Sequence, residues 1–164
     1  MHEKIKSLAE LLPLIMEKKS HGGKIVFTNG CFDLFHVGHV EYLAEARKLG
    51  DFLVVGLNSD RSVRMIKGLS RPINTQTARA VVLAALGCVD VVVLFDETDP
   101  LPLILSIRPD ILVKGGDWTL NEIVGAKEVQ EDGGRVMTIP YIPGYSTTDL
   151  IEKISSQIKG APHE

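Results

Sequence analysis

Lys24-Ile-Val-Phe-Thr28, Asn29 and Gly30-Cys-Phe-Asp-Leu-Phe-His36-Val-Gly38-His39 run together as an apolar strand followed by two histidines on either side of a glycine, and Val40 to Leu49 then reads as a helix. A helix start presents unpaired backbone N–H groups and the positive end of its peptide dipoles, which attract anions, phosphate above all. Two imidazoles there add side-chain donors. Gly38 has no side chain and lets a ligand come against the backbone. The segment is therefore read as a phosphate site at a strand-to-helix turn rather than as a loop with solvated histidines.

Four more apolar runs follow Lys24–Thr28: Phe52–Leu57, Val89–Phe95, Ile111–Val113 and Val136–Ile139. Their richness in Val, Ile and Leu, with little polar alternation, suits strands buried on both faces. Asn74–Leu86, Pro100–Ile107, Asn121–Glu131 and Thr147–Ile158 join Val40–Leu49 as predicted helices, with Asn74 and Ser146 or Thr147 as candidate N-caps. The alternation predicts a single-domain α/β fold, a Rossmann-like open parallel sheet of five strands with helices on both faces. Such sheets bind ligands beyond the C-terminal ends of their strands.

Residues 1–22 are expected to form a helical extension, since Ile5, Leu8, Leu12, Ile15 and Met16 recur at helical spacing despite Pro13. The α/β domain is then 23–158, and 159–164 a frayed tail.

The 164 residues carry a net charge of −3, against a broad basic face for nucleic acid, so any phosphate ligand has to be held locally. No apolar run reaches membrane-spanning length and the N-terminus lacks the apolar core of a signal peptide, so the expected compartment is the cytoplasm. Cys31 and Cys88 are too few for a disulfide framework, and Cys31 reads as a small buried filler rather than a reactive thiol.

Polar clusters follow the strands. Thr28, Asn29 and Asp33 accompany the histidines; Asp33 can orient an imidazole, hold a metal-bound water or cap a turn. Asn58-Ser-Asp60 leads to Lys67-Gly-Leu-Ser-Arg71-Pro, a basic loop able to close over phosphates. Lys114-Gly115-Gly116-Asp117-Trp118 sets a cation and a carboxylate around two glycines. Pro143-Gly-Tyr-Ser146-Thr147-Thr148-Asp149 is a hydroxyl cluster at a second helix start, suited to capping and to phosphate alike.

No P-loop, no Gly-x-Gly-x-x-Gly after the first strand and no serine nucleophile elbow occur, and His36 and His39 have no third zinc ligand at a usual spacing. Two phosphate-seeking helix starts, two imidazoles and a lysine loop describe a polyphosphate site. A phosphoryl centre attacked by an oxyanion needs charge neutralisation and in-line positioning rather than a covalent nucleophile.

Gly30-x-Phe32-Asp33-x-x-His36-x-Gly38-His39 with Ser146-Thr147-Thr148 resembles the cytidylyltransferase-like nucleotidyltransferases. Asn29-Gly-Cys-Phe-Asp-Leu, Asn58-Ser-Asp60, Lys67-Gly, Arg71-Pro-Ile, Val113-Lys-Gly-Gly-Asp117 and Pro143-Gly-x-Ser-Thr-Thr look like one branch, the adenylyltransferase domain of ADP-heptose synthase. The likeness runs from about Lys24 to Ile154.

That resemblance implies transfer of AMP from ATP to D-glycero-β-D-manno-heptose 1-phosphate, giving ADP-heptose for lipopolysaccharide core or other heptose glycans. It implies catalytic roles for His36, His39 and Lys67. ATP contacts fall to Asn29, Gly30, Phe32, Asp33, Gly38, Ser146, Thr147 and Thr148. Acceptor contacts fall to Asn58, Asp60, Arg71, Lys114, Gly115, Gly116 and Asp117. Mg2+ is expected on the ATP phosphates with no protein-built metal site. A homodimer is also expected, with neither nucleic acid nor membrane as partner. Relatives of this branch have a fused sugar kinase, so a separate kinase is expected to make the substrate.

The runner-up is a CTP-dependent cytidylyltransferase acting on glycerol 3-phosphate or a similar small phosphate. That group has Arg-Tyr-Val-Asp-Glu where this chain has Gly87-Cys-Val-Asp-Val91, and an arginine in place of Tyr141. Both departures favour adenine. A non-catalytic nucleotide-binding module is the third reading, opposed by the intact His36, His39, Lys67 and Ser146.

Overall fold

A computed structural model describes residues 2–116, 118–119, 122–140 and 144–159, with only the backbone described at 149, 152, 158 and 159. The strands are β1 (Ile5–Lys6), β2 (Ile25–Gly30), β3 (Phe52–Asn58), β4 (Val91–Phe95), β5 (Ile111–Gly115) and β6 (Arg135–Ile139). They form one sheet in the order β1-β4-β3-β2-β5-β6, and every pairing is parallel.

The predicted architecture is present with one correction: the sheet has six strands, not five. The extra strand is β1, in which Ile5 and Lys6 pair with Val92 and Val93 along the open edge of β4. Two residues carry no periodicity of their own, and Ile5 fits the helical spacing of the segment after it. Lys4 fastens the edge by donating from Nζ to the carbonyls of Leu86 at 2.9 Å and Val89 at 2.7 Å.

The helices are α1 (Leu8–Ser20), α2 (Val37–Lys48), α3 (Asp60–Lys67), α4 (Gln76–Ala84), α5 (Leu101–Ile107), α6 (Ala126–Glu131) and α7 (Thr147–Lys159). Ser7 starts α1 with a capping box: its hydroxyl accepts from the Glu10 N–H, while the Glu10 carboxylate accepts from the Ser7 N–H at 2.8 Å. Thr75, not Asn74, caps α4. α3 departs from the sequence expectation, because its charged residues read as loop. Its signals are local: Ser59 accepts from the Ser62 N–H at 3.2 Å, and Gly68 stops the helix at φ 92°.

Strand alternation divides the core into two layers. Ile25 and Phe27 face Leu11 and Ile15 of α1, Leu103 and Ile107 of α5 and Val129 of α6. Val26, Val55 and Val113 face Leu43 and Ala46 of α2 and Leu83 and Ala84 of α4. Helices thus cover both faces, as predicted. No helix among the described residues is long and apolar enough to cross a membrane.

The chain winds from β2 through β3 to β4 on one side and from β5 to β6 on the other. The winding direction therefore changes between β2 and β5, and in such sheets that crevice is where ligands bind.

Candidate active site

Asn29 and Gly30 end β2, and Lys114 and Gly115 end β5, so the two predicted clusters face each other across the switch point. Lys114 Nζ donates to Asn29 Oδ1 at 3.3 Å, and burial holds its pKa below the ordinary lysine range. Tyr42 braces the crevice from below: its hydroxyl lies 2.6 Å from Thr28 Oγ1 and donates to the Val113 carbonyl at 3.1 Å. Gly116 turns the chain at φ 104° and donates to Ile139 at 2.8 Å. Asp117 and Tyr141 lie outside the described residues.

α2 begins three residues earlier than predicted, with His36 as its N-cap and Gly38 and His39 inside its first turn. His36 makes no side-chain cap bond, so both imidazoles sit at the anion-attracting end of the helix. Their rings stack, with centroids 3.8 Å apart and planes at 22°. Phe35 stacks on His39 and Phe32 meets it edge-on, each with ring centroids 5.2 Å away.

Both Nδ1 atoms are buried without a hydrogen-bond partner among the described residues. Burial lowers the pKa of His36; burial and then the His36 charge push that of His39 down to about 4. Near neutral pH both rings are therefore uncharged, and no described residue takes up the hydrogen-bonding capacity of either Nδ1.

Gly38 leaves the histidine turn uncrowded. A Cβ there would lie 3.0 Å from His36 Nδ1 and 3.4 Å from Tyr145 Cβ. That contact also brings the start of α7 against the histidine turn, as does the Thr147 hydroxyl, which lies 3.5 Å from the Leu34 carbonyl. Ser146 and Thr147 are half-buried and Thr148 is exposed. Two helix starts thus meet at one place.

The acidic predicted residues are occupied within the protein. Asp33, almost completely buried, accepts from Arg71 Nε at 2.6 Å and from the N–H groups of Ile73 and Asn74 at 2.9 and 2.8 Å. These donors hold its carboxyl below the usual range against the cost of burial. Of the three roles the sequence leaves open, this geometry is nearest to capping a turn, since Asp33 accepts the backbone N–H groups of Ile73 and Asn74 and also pairs with Arg71. Asn58 Nδ2 donates to Ser62 Oγ at 2.9 Å, and Asp60 pairs with Arg79 at 2.8 Å.

Lys67 is exposed at the end of α3, and its charge acts on Cys31. Cys31 is half-buried, and burial raises its pKa. Sequence reasoning missed Phe35, Tyr42 and Arg79, and read Asn74 only as a helix cap. Arg79 was the most legible of these, since it lies on the apolar stripe of α4 formed by Ala80, Leu83 and Ala84.

The sequence model of the family described as cytidylyltransferase-like matches residues 27–153. The chain is 55% identical over 151 residues to the "Bifunctional protein HldE" of Geobacter sulfurreducens, covering 92% of this chain and 31% of that protein. It is 57% identical over 153 residues to the protein of the same name from Citrifermentans bemidjiense, covering 93% and 31%. The chain therefore spans about a third of the length of these curated relatives.

Among solved structures, a lipopolysaccharide core biosynthesis protein from Thermoplasma volcanium is similar, with a TM-score of 0.59 and 30% identity over 74% of this chain and 98% of that one. The residues at the switch point and these likenesses agree: the chain belongs to the cytidylyltransferase-like family.

Proposed function

We propose that this chain is an adenylyltransferase that moves AMP from ATP to D-glycero-β-D-manno-heptose 1-phosphate. An oxygen of the sugar phosphate bonds to the α-phosphorus, the bond from that phosphorus to the β-bridging oxygen breaks, and pyrophosphate leaves with the electron pair. The acceptor is already ionised, so no general base is needed. The observation that carries the reading is the stacked histidine pair at the start of α2, with both Nδ1 atoms buried and without a partner among the described residues.

In this reading the α2 and α7 starts take the triphosphate oxygens through backbone N–H groups and the Ser146 and Thr147 hydroxyls. His36, His39 and Lys67 stabilise charge growing toward the leaving pyrophosphate. Lys114, in the crevice beside Asn29, offers a cation to the acceptor side. Asp33 holds Arg71 by Nε alone, leaving its terminal nitrogens to meet a phosphate.

No group of three His, Cys, Asp or Glu side chains among the described residues is placed to hold a metal. Asp33 and Asp60 face arginines. This donor set fits a magnesium ion carried by phosphate oxygens and its own waters, which would supply charge neutralisation when bound.

The likeness to HldE proteins and to a lipopolysaccharide core biosynthesis protein supports a heptose acceptor. A sugar kinase reaction must supply that acceptor, and the product serves heptose glycan synthesis. We place the reaction in the cytoplasm and the protein in a homodimer.

The test is pyrophosphate release over ATP and CTP crossed with heptose 1-phosphate, glycerol 3-phosphate and other small phosphates. ATP with heptose 1-phosphate should give the highest kcat/KM. Release with CTP alone would overturn the base, preference for glycerol 3-phosphate the acceptor, and no release with any pair would leave a binding module.

A further inference from the structure

Among the described residues Arg79 is the largest side chain that the fold buries completely, and the reaction above gives it no task. It points inward from the first turns of α4 and places three of its five donors. Nε donates to the Asn74 carbonyl at 3.0 Å, one terminal nitrogen to the Cys31 carbonyl at 2.5 Å, and the other to Asp60 at 2.8 Å. These acceptors lie on three separate segments: the turn after β2, the start of α3 and the approach to α4.

Packing alone does not call for a guanidinium here. An apolar side chain of similar volume fills such a space without desolvating a charge. A rigid fork adds the ability to fix several backbone groups relative to one another. Asn74 is gripped from both sides, its carbonyl by Arg79 and its N–H by Asp33, which joins the loop at 71–74 to the turn at 31–33.

The bond to Cys31 reaches furthest. The next residue, Phe32, turns at φ 44°, a conformation uncommon for a residue with a Cβ, and the surroundings must therefore hold it. The Phe32 ring then meets His39 edge-on at 5.2 Å, and His39 stacks on His36 at 3.8 Å.

We propose that Arg79 is a positioning residue for the imidazole pair: by holding the Cys31 carbonyl it fixes the Phe32 turn, and the Phe32 ring fixes the plane of His39. The kinetic part of the test rests on the adenylyl-transfer reading. The ring titration needs no substrate. Among the described residues, the rings that face His39 are those of His36, Phe32 and Phe35, and His36 is the one charge that acts on it.

The experiment compares the parent with Arg79→Lys, Arg79→Met and Phe32→Leu. Imidazole nitrogen resonances are followed by NMR against pH, with thermal unfolding to confirm folding and kcat and KM for ATP measured alongside. In Arg79→Met, His39 should titrate nearer the ordinary histidine value. Its kcat should fall about 10²-fold, the scale of misplacing a reacting group by about 1 Å, with little change in KM. Arg79→Lys should restore part of the loss.

A folded Arg79→Met with parental ring titration and kcat within about twofold of the parent would overturn the proposal. If neither Arg79 variant folds, Phe32→Leu decides, since unchanged titration and kcat there would break the same route. A shifted titration in a protein whose parent shows no transfer would refute the reaction and leave the positioning role standing.

Discussion

Acidification should destabilise the substrate-free protein through His39. The folded state holds this imidazole neutral, with its pKa pushed down to about 4 from 6.5, whereas the unfolded chain takes up a proton near 6.5. The unfolded state therefore binds more protons between those values. Stability is complete above about pH 6.5 and is lost as the pH falls toward 4. At about 1.36 kcal/mol per pH unit, the fall from 6.5 to about 4 sets an upper limit of about 3.4 kcal/mol. Water reaches a half-buried ring, so about 1–2 kcal/mol is the working figure. His36, lowered in the same direction by burial, adds to the effect. The assay is urea unfolding from about pH 7.5 to 4.5 for the parent and His39→Asn. Carboxylate protonation is common to both, so the difference isolates the ring. The parent should lose about 1–2 kcal/mol more than the variant across the window. Parallel curves, or a His39 that titrates near 6.5 by NMR, would refute the reasoning.

Three substitutions separate the parts of the site. Gly38→Ala places a Cβ 3.0 Å from His36 Nδ1 and should lower kcat about 10–100-fold with the fold retained, as steady-state kinetics and circular dichroism would show. Asp33→Asn leaves Arg71 without its carboxylate and should cost about 2–4 kcal/mol, read as a lowered midpoint in thermal unfolding. Lys67→Ala, at an exposed helix end, should change stability by less than about 0.5 kcal/mol while lowering kcat at least about 10-fold; an unchanged kcat would remove Lys67 from the catalytic set.

The sequence was most legible where chemistry and backbone geometry coincide. The apolar run before Asn29 and the His36-Val-Gly-His39 spacing located β2, α2 and the site between them, because each signal lies within a dozen residues of the other. β1 was illegible because two residues on an edge show no period, and their partners, Val92 and Val93, lie far along the chain. α3 was hidden by its own charges, since Arg61, Arg64 and Lys67 look like a solvated loop until Ser59 and Gly68 are read as caps. Asp33 was identified as important but could not be given a partner, because Arg71 is 38 residues away and only the fold brings it near. Arg79 was passed over because arginine is rarely buried unless it is paired. Its acceptors on Cys31 and Asp60 become visible only when α4 packs beneath the β2 turn.

The account holds that the acceptor's own oxygen attacks the α-phosphorus of ATP, with the protein supplying position and charge. The most direct measurement uses heptose 1-phosphate labelled with 18O in its phosphate, incubated with ATP, followed by mass spectrometry of both products. The account predicts ADP-heptose that retains every labelled oxygen and pyrophosphate that carries none. Label in the pyrophosphate, or no ADP-heptose at all, would contradict it.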